Sequence, residues 1–239
     1  MKLVKEHTDI PVPEVHLATY FPSEDDTPSE DDTPSEGHTP SEGYTTSEGR
    51  IAMSIIPGTP LKDVWDNLDD ETKRRVCSET WAMLAKLRCI EKPPELQHLF
   101  LCLADGSPCV QDPLVAGTNC RSPPGGLVSD DAVRARIYEC YYEANGRRYE
   151  KELPSMLPRS NTSASTHADI APFNIMVDEK SLEITGIIDW ERAGWYPDYW
   201  EYCNIMKPIK YKDWQVWMDL TAPKKWDLSG ITAARGVLF

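Results

Sequence analysis

The sequence has no apolar run approaching the ~18 to 20 residues that a bilayer-spanning helix needs, so no membrane partner is expected. Its first residues, MKLVKEHTDIPVPEV, lack the apolar core of a signal peptide, and a cytoplasmic location is expected. Basic residues are scarce: 25 Lys and Arg stand against 39 Asp and Glu, with no basic stripe. Nucleic acid is therefore not an expected partner, because phosphate binding needs clustered cations. Cys-x-x-Cys is absent and the seven cysteines are odd in number. That fits neither a disulfide framework nor a structural zinc site. Cys102, Cys109 and Cys120, spread through a Gly- and Pro-rich stretch, are expected to be buried or idle thiols in a reducing compartment.

What is present suffices for a core: 40% of the 239 residues are apolar and eight are Trp, enough for one large domain or for a small lobe and a larger one. The acidity is local. Residues 23–49 hold nine Asp and Glu and no Lys or Arg, and removing them takes the formal net charge from −14 to −5. They form a hexapeptide repeat, SEDDTP, SEDDTP, SEGHTP, SEGYTT, SEG, with no apolar position at fixed phase. Such a segment buries too little to offset its chain entropy, so a disordered insert between two strands is expected. Ser and Thr beside acids are its one functional feature, as phosphorylation acceptors.

In chain order, residues 1–7 fit the end of a helix stopped by Pro11 and Pro13. Residues 15–21 alternate as a strand, and residues 50–56, RIAMSII, form another ahead of Pro57-Gly58. Asp69 is a suitable N-cap for a helix to about residue 90, whose stripe is Val76, Thr80, Met83, Leu84 and Leu87. Residues 91–129 read as a long ordered loop, and a second helix is expected over 129–153, weakened at Gly146. An aromatic-rich helix follows within 195–208 and a short one around Trp214 and Trp217, whereas residues 228–239 show no clear pattern.

The chain is organised around residues 166–201, THADIAPFNIMVDEKSLEITGIIDWERAGWYPDYWE. Residues 175–177 and 184–188 are brief strands and residues 178–182 the turn between them. This hairpin brings Asp169, Asn174 and Asp189 to one end. Phosphoryl transfer needs such a set: a carboxylate to orient and deprotonate the attacking hydroxyl, and oxygen ligands for the magnesium on the nucleotide phosphates. Mg2+ takes one or two carboxylate or amide oxygens beside phosphates and water, which Asn174 and Asp189 supply, leaving Asp169 as base. Singly, each of these residues is more simply a turn former or a helix cap.

The spacing His-x-Asp-x-x-x-x-Asn is that of the protein-kinase catalytic loop. With the wording HADIAPFNIMVD and ITGIIDWERAGWYP, the sequence resembles the aminoglycoside phosphotransferase and choline kinase-like family, particularly its fungal members, from about residue 3 to 208. The resemblance implies an α+β, protein kinase-like fold. Residues 1–57 would be an incomplete small N-terminal β lobe, and residues 58–239 a mainly helical C-terminal lobe carrying the catalytic hairpin. It also implies ATP and Mg2+ as cofactors, a small-molecule hydroxyl as acceptor, and transfer of the ATP γ-phosphoryl group. Asp169 would be the catalytic base, His167 a loop-bracing residue, and Asn174 and Asp189 the Mg2+ ligands. Met53, Ser54, Ile55 and Ile56 would be the hinge that meets adenine. Ala168 stands where the family usually has Gly; if that position has a positive φ, its Cβ costs roughly 1 kcal/mol or more.

Two other readings stay open. The early strand with its phosphate-binding loop and Lys is expected to precede the first residue, which leaves room for a kinase-like chain that is inactive and binds at most. A metal-dependent hydrolase can be drawn from His167, Asp169 and Asp189, although hydrolytic zinc sites gather three ligands and no second His lies near.

Overall fold

The computed structural model describes residues 1–21, 48–117, 126–208, 211 and 213–238. Residues 22–47 of the repeat region, expected to be disordered, and Cys120 lie outside the described residues.

Helix α1 (Lys2–His7) ends where the Thr8 N–H donates to the Val4 carbonyl and Pro11 prevents continuation. Strands β1 (Val15–Phe21) and β2 (Glu48–Met53) pair antiparallel, from Val15 opposite Met53 to Phe21 opposite Glu48. After β3 (Thr59–Pro60) come α2 (Leu61–Val64), a 3-10 turn over Trp65–Asn67, and α3 (Asp70–Arg88). Asp69 caps α3 as expected, its carboxylate accepting from the Thr72 N–H at 2.8 Å. Then follow β4 (Cys102–Leu103), α4 (Pro113–Ala116), α5 (Asp130–Glu143), α6 (Leu153–Met156) and β5 (Ser163–Thr166). The hairpin is β6 (Ile175–Val177) and β7 (Ile184–Ile187), and the rest is β8 (Gly194–Pro197), α7 (Trp200–Ile205), α8 (Trp214–Thr221) and α9 (Ser229–Leu238).

Helix α5 is shorter than expected. It stops because Asn145 takes φ +69° and the Gly146 N–H turns back to the Tyr141 carbonyl at 2.8 Å; a Cβ on Gly146 would lie 2.4 Å from the Tyr141 ring. Strands β5 and β8 were not expected. All of β8 is buried, so no alternation of apolar and polar residues marks it in the sequence.

Two three-stranded sheets are ordered β3-β6-β7 and β4-β8-β5, and the buried apolar side chains of the described residues form two cores. One core packs the hairpin and α3 with Trp65, Trp214 and Met218, and includes Val4 and Ile10 from the start of the chain. The other gathers α4, α5, α6, α7 and α9 around Tyr141, Tyr196, Tyr199 and Trp200. Residues 167–174, the loop from β5 into β6, cross between them. Cys102 and Cys109 are buried and unpaired, and among the described residues no helix is long and apolar enough to cross a membrane.

Candidate active site

The hairpin register sets the site. Ile175 faces Ile187, and the ladder runs one pair further, the Ile188 N–H donating to the Asn174 carbonyl at 3.0 Å. The next residue on β7's side is Asp189, so Asn174 and Asp189 emerge at the same end. The opposite end is closed by Asp178, whose carboxylate accepts from the Lys180 and Ser181 N–H groups at 2.9 and 2.8 Å.

His167 joins the loop to the hairpin. Its Nδ1 accepts from the Asp169 N–H at 3.2 Å, so Nε2 carries the proton and donates to the Ile188 carbonyl at 3.0 Å. The ring meets Trp190 edge-on at 4.6 Å between centroids. Burial pushes its pKa down to about 4, so the imidazole is neutral near pH 7 and holds geometry without charge. Asp169 keeps a quarter of its side chain exposed. Asn174 Nδ2 donates to its carbonyl at 2.8 Å and to its Oδ2 at 3.3 Å, and the Arg192 guanidinium lies 3.7 Å from Oδ1.

Ala168 has φ +68°, so the condition under which its Cβ would carry a cost is met. Two α7 residues that the sequence reading did not single out hold it there. The carboxylate of Glu201 accepts from the His167 N–H at 2.7 Å and from the Ala168 N–H at 3.2 Å, while Asn204 Nδ2 donates to the Ala168 carbonyl at 2.8 Å. Glu201 is fully buried, and burial, outweighing these hydrogen bonds, pushes its pKa up to about 7. The signal that could have found it is an acid within the aromatic run Tyr199-Trp200-Glu201-Tyr202, since a buried carboxyl must have partners.

The donors present fit a magnesium ion. With its nitrogen spent on Asp169, the Asn174 amide leaves Oδ1 as a hard oxygen donor. Asp189 is exposed, takes φ +65°, and has no hydrogen bond or ion pair among the described residues. One amide and one carboxylate oxygen suit Mg2+ completed by phosphates and water. Among the described residues no three His, Cys, Asp or Glu side chains gather around a common point, so the three-ligand zinc set of a hydrolase is not formed there.

Of the residues expected to form a hinge, Met53 ends β2, and Ser54, Ile55 and Ile56 follow it. Ser54 is tied to Glu14 twice, its N–H donating to the Glu14 carbonyl and its hydroxyl accepting from the Glu14 N–H, both at 2.8 Å. Met53 and Ile55 are exposed, Ile55 to 92%. The segment reaches the hairpin where the Thr185 hydroxyl donates to the Pro57 carbonyl at 2.6 Å, four residues before Asp189.

Among solved structures, the chain resembles an aminoglycoside-3'-phosphotransferase of type VIII, with a TM-score of 0.52 and 14% identity over 99% of this chain and 76% of that one. That likeness shows the fold, a protein kinase-like one. The apo form of a thermostable mutant of aminoglycoside phosphotransferase APH(4)-Ia also aligns, at TM-score 0.49 and 16% identity over 92% of this chain and 63% of that one. So does aminoglycoside phosphotransferase APH(3'')-Id from Streptomyces rimosus in complex with ADP and streptomycin, at TM-score 0.43 and 15% identity over 95% and 74%. No curated protein sequence matches significantly. Residues 1–206 match the phosphotransferase enzyme family, and the chain belongs to that family.

Proposed function

We propose that this chain moves the γ-phosphoryl group of ATP to a hydroxyl of a small molecule. The observation that carries the reading is the hairpin end itself, where Asn174 binds Asp169 directly while its ladder partner Ile188 delivers Asp189. Asp169 orients the acceptor hydroxyl and takes its proton. Arg192, 3.7 Å away, restrains the carboxylate. Asn174 and Asp189 would hold Mg2+, which would supply positive charge to offset that of the nucleotide phosphates. His167 braces the loop. In the two-lobed arrangement that goes with this reading, residues 1–57 form the nucleotide-side lobe, with Met53, Ser54, Ile55 and Ile56 against adenine, and residues 58–239 the catalytic lobe, in the cytoplasm. Family membership supports the reaction class and leaves the acceptor unnamed.

Thermal unfolding with Mg-ATP, followed by a transfer assay over a panel of small hydroxyl compounds, tests this. A ligand at a hundred times its Kd adds about 2.7 kcal/mol of stability. Asp169→Asn is expected to keep that gain and to lose transfer by about 100-fold or more. No stabilisation by Mg-ATP, or transfer unaffected in Asp169→Asn, overturns the reading; stabilisation without transfer to any acceptor favours a binding module instead.

A further inference from the structure

Helix α9 lies outside the residues that match the family, 1–206, yet it reaches the catalytic loop through two side chains. Arg235 donates from Nη2 to Asn204 Oδ1 at 2.8 Å and from Nη1 to the Cys203 carbonyl at 2.7 Å, with Cys203 Sγ 3.2 Å from Nη2. Asn204 passes the constraint on, its Nδ2 donating to the Ala168 carbonyl at 2.8 Å. The amide has one workable orientation: flipped, it would set nitrogen against guanidinium and oxygen against carbonyl. Arg235 and the Ala168 carbonyl thus demand the same orientation of Asn204, one from each end of the amide. Ala168 is the left-handed residue immediately before Asp169.

The guanidinium's partners here are a carbonyl, an amide oxygen and a thiol that burial keeps protonated, with a pKa pushed up to about 11. A part-buried cation held by neutral groups gives up hydration without a carboxylate in return. Its Nε is buried without a hydrogen-bond partner among the described residues, a further cost. An apolar side chain at this place would dock α9 on α7 at less expense. What it would not do is orient Asn204.

We infer that Arg235 and Asn204 are positioning residues for Asp169: α9 holds the Asn204 amide, and that amide holds the carbonyl of left-handed Ala168, whose peptide bond leads into Asp169. The kinetic consequence rests on the phosphotransferase reading, whereas the structural consequence does not. Asn204→Asp separates the two roles within one near-isosteric change. It keeps an acceptor for Arg235, so the contact between α7 and α9 survives, and it removes the donor to Ala168.

Amide hydrogen exchange of the full chain is compared between wild type and Asn204→Asp, beside steady-state kinetics with Mg-ATP. Protection of the Asp169 and Ala168 amides is expected to fall by about tenfold or more while α9 keeps its protection. The kcat is expected to fall by about 10- to 100-fold, as for one lost hydrogen bond in a buried site, with the KM for ATP within about twofold. Unchanged loop protection, or lost protection with unchanged kcat, overturns the inference. Should Asn204→Asp fail to fold, Arg235→Leu is read by the same criteria, with Arg235→Lys expected to restore part of the protection. A wild-type chain that transfers nothing overturns the phosphotransferase reading alone, and the exchange data then decide whether the relay exists.

Discussion

Glu201 and His167 are buried groups whose pKa values are displaced in opposite directions, and Glu201→Gln should expose the pH dependence of one by removing the other. Both are fully buried around the same peptide groups. Burial raises the Glu201 pKa from 4.5 to about 7, with Arg88 of α3 opposing and Asp169 reinforcing the change. Burial lowers that of His167 from 6.5 to about 4, with Asp169 opposing. For Glu201 the folded state binds its proton more tightly than the unfolded chain, so its contribution to stability is complete below pH 4.5 and is lost as pH rises through 7. For His167 the contribution is complete above pH 6.5 and is lost as pH falls through 4. At 1.36 kcal/mol per pH unit, each displacement amounts to roughly 3 kcal/mol, and between about pH 4.5 and 6.5 the two slopes largely cancel.

Glutamine keeps one oxygen for the His167 N–H and carries no charge. The stability of Glu201→Gln minus that of wild type should therefore rise by roughly 3 kcal/mol from pH 4.5 to 7.5, because every other titrating group drops out of the difference. Urea unfolding at four pH values, with a common m-value, measures it. A difference flat to within about 1 kcal/mol, or one that falls, would refute the reasoning: Glu201 would then be ionised throughout and paid for by its backbone donors.

Two further changes probe packing around the site. Gly194→Ala places a Cβ 2.3 Å from the Cys102 carbonyl oxygen and 2.7 Å from Leu103 Cα, so β4 and β8 must part; a loss of about 2 to 3 kcal/mol is expected by thermal unfolding. Asp213→Leu removes the acceptor of Trp65 Nε1 at 2.7 Å and of Lys73 Nζ at 2.6 Å, leaving a largely buried ammonium unpaired. Urea unfolding should show a loss of about 2 to 3 kcal/mol, with Lys73→Met in the same background recovering part of it.

The sequence was most informative where a local rule and a tertiary role coincide. Asp69 caps α3 because an Asp three residues before Thr72 satisfies a free N–H whatever surrounds it. The hairpin was legible because its turn chemistry at Asp178 and its two apolar runs agree. Periodic signal is missing from β5 and β8, which pair over four residues: β8 is buried throughout, and β5 is built of small and hydroxyl side chains with no apolar alternation. Helix α9 buries Ile231, Ala234 and Leu238, a stripe at helical spacing whose middle member is only a methyl group. Glu201 and Asn204 were hidden for a different reason. Their role lies in contacts 33 to 36 residues away along the chain, which no local pattern encodes.

Those two residues also explain how the chain tolerates Ala at position 168. A Cβ in the left-handed region costs about 1 to 2 kcal/mol, and a loop free to relax would leave that conformation. Here the Ala168 N–H and C=O are both claimed by α7, and the preceding N–H by the same Glu201 carboxylate. Hydrogen bonds contribute about 1 kcal/mol net each when made, and more is lost when a buried group is abandoned. Leaving the left-handed state would orphan three buried peptide groups to relieve one methyl contact. The strain is therefore retained because its surroundings over-determine it, and the direction in which Asp169 projects is set by the helix beneath the loop more than by the loop's own preferences.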